Sequence, residues 1–346
     1  MGNNKVKIFI FGRDKVGWSI DEDRKAVTYI FKKCGFLLTG NIFKATHIFC
    51  VWYDLLLNFR YRWLIYYSKL FNKKIIVVIT NNITLYPYKV DLLKRFVDIC
   101  ISPSENILNF LKMQNLKVYK IPFFVNETIF KPLNISKQKI CQKLGIDFNK
   151  IAKKIVIGSF QRDSLGNNLM KPKWQKNPDL LIDILEKLPR EKYISLLAGP
   201  RRHYIMKKCK NKGIPFLFYG DSNYINNLED DILINNLNLE IINLLYNLID
   251  IYIVSSKSEG GPKQILESSL TKTLIFSTKV GFAPDIIHPE LLFNDNHIQS
   301  VIKKIIKFYE NPNEFNKYIE YNFKRSKQEV NIDVLKEKYR KVILEN

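Results

Sequence analysis

The chain is poor in the features that staple, span or export a protein. Its five cysteines, Cys34, Cys50, Cys100, Cys141 and Cys209, are odd in number, widely spread and free of any C-x-x-C pair. Neither a disulfide framework nor a zinc site is therefore indicated, and a reducing compartment fits best. The most apolar runs, residues 47–59 and 244–254, are short and carry Asp54 and Asp250, so no transmembrane helix is expected. The stretch before the first predicted strand has no signal-peptide apolar core, and Val6 stands where a myristoylation pattern needs Ser or Thr. The expected location is cytoplasmic, with any membrane contact peripheral.

Acidic residues are also scarce: 33 Asp and Glu stand against 55 Lys and Arg, a formal charge of +22. Such a balance suits anionic partners, phosphate groups first among them. The plain alternative is compositional, because Lys, Asn and Ile crowd the whole sequence and a solvated Lys needs no partner. A nucleic-acid binder using this basic surface is the competing class, but no zinc-finger, RRM or KH signature supports it.

What is present is a foldable chain of 346 residues, 46% of them hydrophobic, which suggests about two domains and excludes whole-chain disorder. Strand-like segments at 6–12, 47–52, 75–79 and 98–102 alternate with helical patterns at 21–33, 60–71, 90–96 and 105–113. Alternation of this kind argues for a parallel sheet covered on both faces. Pro122, Pro132 and polar neighbours suit an exit from a first domain (1–134), with the boundary between about 130 and 153 and a basic helix over 136–144. The alternation then restarts, with strands at 155–160, 194–198, 216–219, 251–255 and 274–277. Asn177 as N-cap and Pro178 at the first helical position announce a helix, and others are predicted at 202–211, 238–248 and 262–270. Residues 220–238, rich in Asn and Asp, read as a long loop. The expected fold is α/β, two doubly wound Rossmann-like domains facing a central cleft, the second spanning 150–320, with a C-terminal helix over about 325–346 packing back on the first.

Ligands of open parallel sheets bind beyond the carboxyl ends of the strands. After the strand 251–255 comes Ser256-Lys-Ser-Glu259-Gly260-Gly261-Pro262-Lys263-Gln-Ile-Leu-Glu267. Two glycines allow close backbone approach, Pro262 pre-sets a helical turn, and the unpaired N–H groups with Lys263 make a phosphate site. Glu259 precedes the helix and Glu267 lies about 7.5 Å along it, so two carboxylates could take hydroxyls in two directions. Spacing alone also allows an exposed loop residue and an exposed helix residue. Arg162, directly after a strand, and Lys171, Lys173 and Lys176, before the next helix, supply cations that could converge on the same phosphates; a solvated basic loop is the alternative. Gly199-Pro200-Arg201-Arg202 is a third such loop, a weaker one.

Together these segments resemble the donor domain of retaining GT-B glycosyltransferases of the large E-x7-E family. Glu259-Gly-Gly-Pro-Lys-Gln-Ile-Leu-Glu267 matches the E-x7-E element, Leu245-Tyr-Asn-Leu-Ile-Asp250 the approach to it, and Ser277-Thr-Lys-Val-Gly281 the strand end after it. Gly158-Ser-Phe-Gln-Arg162 and Lys176-Asn-Pro-Asp179 match the segments that hold the donor diphosphate, and Ile121 to Asn126 with Phe130-Lys-Pro132 the interdomain segment. The resemblance implies a nucleotide-diphosphate sugar as donor substrate, no bound metal, Glu267 on the ribose, Glu259 on the transferred sugar, and Arg162 and Lys176 on the diphosphate. It implies a glycan, polysaccharide or lipid-linked acceptor, with contact to an acidic inner membrane face as a further expectation. An inactive nucleotide-sugar binder is the remaining alternative. The first half departs from the pattern: Gly12-Arg13-Asp14-Lys15-Val16-Gly17-Trp18 has fewer glycines than the family's first loop, so Gly12, Arg13 and Gly17 are its only candidates. The acceptor-side His has no clear counterpart, since His47 sits inside a strand and Asn81-Asn82 occupy the strand-end loop.

Overall fold

The computed structural model describes residues 6–13, 17 and 19–345; the N-terminal five residues and, in the first loop, Asp14, Lys15, Val16 and Trp18 lie outside them. The chain forms two compact units. The first takes residues up to Phe124, Glu259–Gly261 and the chain from Gln328 onward; the second takes Val125–Ser258 and Pro262–Lys327. The chain thus passes from one unit to the other after Phe124, between Pro122 and Pro132.

In the first unit, strands β1 (Lys7–Phe11), β2 (Leu37–Leu38), β3 (His47–Cys50), β4 (Lys74–Val78), β5 (Ile99–Ser102) and β6 (Val118–Lys120) pair in parallel in the order β2-β1-β3-β4-β5-β6. Side chains alternate between the two faces of such strands. Ile48, Cys50, Ile75, Val77 and Cys100 face one core with Leu56, Leu64, Leu93 and Leu108. Phe49, Val51, Ile76, Val78, Ile99 and Ile101 face the other, with Val27, Ile30 and Phe31 of the helix Ser19–Lys33. The last helix, Ile332–Leu344, completes this second face: Leu335 and Val342 are fully buried there, and Tyr339 meets Phe31 edge-on at 5.4 Å.

In the second unit, β7 (Ile155–Ser159), β10 (Tyr193–Ala198), β11 (Phe216–Tyr219), β12 (Ile251–Val254), β13 (Leu274–Thr278) and β14 (Leu292–Phe293) form a parallel sheet in the order β11-β10-β7-β12-β13-β14. Helices on both faces make each sheet doubly wound, as the alternating pattern predicts. Several elements differ from the sequence reading. The polar stretch after β7 folds into an antiparallel hairpin, β8 (Ser164–Leu165) with β9 (Asn168–Pro172). The Asn- and Asp-rich stretch holds a helix, Ser222–Asn226, capped by Asp221, and Asn235 bonds back to Asp221 and Asp231. Asn177 does precede the helix Pro178–Glu186, but in left-handed conformation (φ 45°) and with its amide donated to Asp295 instead of capping. Pro262 is the cap of the helix Lys263–Leu270 and not its first residue.

All five cysteines are buried free thiols. Among the described residues no helix is long and apolar enough to cross a membrane.

Because Leu335 is wholly enclosed in the first unit, Leu335→Ala should lower stability by about 2–5 kcal/mol. Urea unfolding measures this, and an unchanged midpoint would show that the last helix does not hold the first core.

Candidate functional site

The carboxyl ends of β7, β12 and β13 gather four loops of the second unit. The turn carrying Lys176 hangs on them by its main chain: the Lys176 carbonyl accepts from Ser255 Oγ at 3.0 Å and Gln161 Nε2 at 3.4 Å. The Lys257 amide donates to the Gln175 carbonyl at 2.8 Å, and Thr278 Oγ1 donates to the Ser256 carbonyl at 2.6 Å. Ser255, Ser256 and Gln161 are buried, so these bonds form where water does not compete. Lys176 and Arg162 are themselves half-buried on these fixed loops.

Directly after Arg162, Asp163 is buried and ion-paired with the fully buried Arg202, Nε to Oδ2 at 3.0 Å. Arg202 also donates to Ser159 Oγ at 2.9 Å, and Asp163 Oδ1 accepts from Ser164 Oγ and the Ile205 amide. The Asp163 carbonyl takes the Lys173 amide at 2.7 Å. Burial pushes the Asp163 carboxyl up to about 6 against the pull of Arg202. Arg201 turns the other way, at φ 57°, and its guanidinium grips Asp230 at 2.6 and 2.9 Å. The Arg201-Arg202 pair that the sequence offers as a third cationic loop is thereby explained as structural.

Glu267 is the fifth residue of Lys263–Leu270, so the exposed-residue alternative fails for it: the side chain is half-buried and accepts the Tyr246 hydroxyl at 3.1 Å. Burial raises its carboxyl above the ordinary range, with Lys263 and Tyr246 opposing. Tyr246, Tyr252 and Phe160 form a ring cluster with centroids 5.1–5.5 Å apart. A carboxylate offers about four acceptor sites, so one bond from Tyr246 leaves capacity for vicinal hydroxyls. Gly158 is buried in β7, where an added Cβ would meet the end of the Ile249 side chain at 2.4 Å, so a larger residue there would force Ile249 to repack. Asp250 of the approach motif straps Lys137 at 2.6 Å and the Val156 amide at 2.9 Å.

Within the first unit, Glu259 is half-buried and Gly261 lies beside Gly260 in the segment grouped there. A Cβ on Gly260 would come within 2.6 Å of the Thr80 carbonyl, so only glycine fits. Gly12 has φ 111° and no room for a Cβ beside Val51; exposed Gly17 donates its amide to Asp21, and Arg13 is exposed. His47 is a structural residue: burial and nearby Lys74 lower it to about 4. The strand-end loops hold instead a polar cluster that the sequence reading missed. Asn81 donates to Asp54 at 2.8 Å and accepts from Tyr53, while Lys89 pairs with Asp54 at 2.6 Å. Asn81 in a strand-end loop was its only sequence signal, because Asp54 and Lys89 are remote from it in the chain.

Two parallel six-stranded α/β units with these strand-end loops define the GT-B class. Residues 171–325, within the second unit, match the family of glycosyl transferases group 1. The fold is similar to that of Anabaena HepE, solved with UDP and glucose, at TM-score 0.73 and 13% identity over 99% of this chain and 100% of that one. It is also similar to a glycosyltransferase from Rickettsia africae (TM-score 0.65, 17% identity, 99% and 100% covered). Sucrose-phosphate synthase from Thermosynechococcus elongatus is a third (TM-score 0.66, 14% identity, 97% and 81% covered). No curated protein sequence matches the chain.

Asp163→Asn leaves the Arg202 charge buried without a counter-ion. It should cost about 3–5 kcal/mol, seen as a lower unfolding midpoint. A midpoint within error of the parent would show that the pair contributes nothing.

Proposed function

We propose that the protein transfers a hexosyl group from a nucleotide-diphosphate sugar to an acceptor hydroxyl, with retention of anomeric configuration and without a bound metal. The observation that carries this reading is the half-buried Glu267 carboxylate, set by Tyr246 at the fifth position of the helix that opens at Pro262. Its remaining acceptor capacity suits the two hydroxyls of a ribose. The diphosphate would lie toward the N-terminal turn, whose amides and dipole favour anions, with Arg162, Lys176 and Lys263 as cations.

As the bond from anomeric carbon to phosphate oxygen breaks, both bonding electrons go to the diphosphate. The cationic groups stabilise that charge, which is the work that sets the rate in such transfers. The acceptor oxygen forms the new bond on the same face, and its proton passes to the departing phosphate oxygen. Glu259 contacts the transferred sugar in this scheme. The acceptor is a glycan, polysaccharide or lipid-linked hydroxyl. A uridine nucleotide is the first donor to screen, since HepE was solved with UDP.

Thermal shift with UDP-, GDP- and ADP-sugars identifies the donor, because a ligand that binds only the folded state raises apparent stability. With that donor, Arg162→Ala should lower turnover by about 100- to 1000-fold, and Glu267→Ala should abolish transfer with the fold intact. Tyr246→Phe should weaken donor binding about tenfold. Unchanged turnover and donor affinity in the purified Glu267 and Arg162 variants would sink the proposal. Product NMR reads the anomeric configuration, and transfer after exhaustive chelation tests metal independence.

A further inference from the structure

The first unit carries a surface that the donor reading does not use. In the helix Arg62–Leu70, Leu64, Ile65 and Ser68 face the core. The outward stripe at helical spacing is Trp63, Tyr66 and Leu70, extended by Phe59 before the helix and Phe71 after it. These five side chains are 53–78% exposed. Phe43, also exposed, joins through Tyr67, whose ring lies 5.2 Å from Phe43 and 4.7 Å from Phe71. Apolar side chains exposed singly need no explanation, but a contiguous aromatic face does.

Charge says what covers it. Over residues 43–74, the stretch that carries the face, the chain has six Lys and Arg and one acidic residue, Asp54, which is already paired with Lys89. Arg60 and Arg62 flank the stripe, Lys44 follows Phe43, and Lys69, which meets Asp98 at 2.8 Å, lies between Tyr66 and Leu70. A second copy presenting the same face would bring like charges together. Large aromatics with a basic rim suit a surface with anionic headgroups above and hydrocarbon below, where amphipathic rings settle at the boundary.

We infer that the face formed by Phe59, Trp63, Tyr66, Leu70 and Phe71 docks the protein onto an anionic phospholipid bilayer. The aromatic stripe enters the headgroup boundary, and Arg60 and Arg62 contact lipid phosphates. The first unit is thereby held at the membrane without a spanning helix.

Co-sedimentation of the full chain with vesicles tests this, independently of transfer. Vesicles of phosphatidylcholine with about 30% phosphatidylserine should bind at least about tenfold more tightly than phosphatidylcholine alone, and salt should weaken the binding. The double variant Trp63→Ser with Leu70→Ser, and separately Arg60→Glu with Arg62→Glu, should each lose about tenfold or more in vesicle affinity. Both should keep the parent circular dichroism and donor thermal shift. Binding by both variants equal to the parent would overturn the inference, as would equal affinity for neutral and anionic vesicles. So would light scattering showing a dimer of the parent that the Trp63 and Leu70 variant loses, which would assign the face to a second copy. Random single-stranded RNA bound more tightly than anionic vesicles, and lost in the same variants, would assign it to nucleic acid.

Discussion

The ion pair of Asp163 with Arg202 is the contact on which the candidate donor side of the second unit depends. Two opposite charges withdrawn from water at 3.0 Å recover their desolvation cost only if the surrounding groups complete their hydrogen bonds. Ser159, Ser164 and the Ile205 amide do part of that work. The consequence is geometric. The exit of β7, the hairpin behind it and the start of the helix His203–Lys212 are fixed to one another, so Arg162 stands on a loop with little freedom. A flexible Arg on a solvated loop would have to lose its motion on meeting an anion; here that entropy is already lost in folding.

The same economy operates at Lys176, by a different device. Its loop is held through main-chain carbonyls by Ser255, Gln161 and the Lys257 amide. Glu267 is oriented by a single side-chain donor, Tyr246, itself wedged among rings. Cations are thus placed by polar networks and the carboxylate by an aromatic wall. At the carboxylate, burial beside the rings raises Glu267 while Lys263 and Tyr246 oppose it.

Much of this was legible in the sequence, and the limits have physical causes. Parallel strands buried on both faces read as apolar runs, so Ile75–Val78 and Ile251–Val254 stood out, and Glu267, Arg162 and Lys176 were visible through motif spacing. The hairpin Ser164–Pro172 was invisible because its strands are short and polar and one is two residues long. Arg202 looked like Arg201 because adjacent identical residues carry no sign of which one turns inward; only the left-handed backbone at Arg201 separates them. Asp54, Asn81 and Lys89 meet through tertiary folding across 27 and 35 positions, a separation no local pattern encodes. Several family-motif residues have packing roles as well: Gly158 lies against Ile249, and Asp250 bonds Lys137 and the β7 main chain.

The excess of positive charge then divides by environment instead of having one meaning. A few cations are consumed by folding: Arg202 by Asp163, Arg201 by Asp230, Lys137 by Asp250. A second few, on loops fixed at the strand ends of the second unit, suit a small diphosphate. The remainder are distributed unevenly, and over residues 43–74, with one acidic residue, they border exposed aromatics. Compositional drift alone would scatter Lys over polar surface; it gives no reason for Trp63, Tyr66 and Leu70 to stay outside a core that has room on the opposite face of the same helix only for Leu64, Ile65 and Ser68. A soluble helix has little to gain from that outward stripe, and the cost of leaving it in water is recovered only when something apolar with a negative rim covers it.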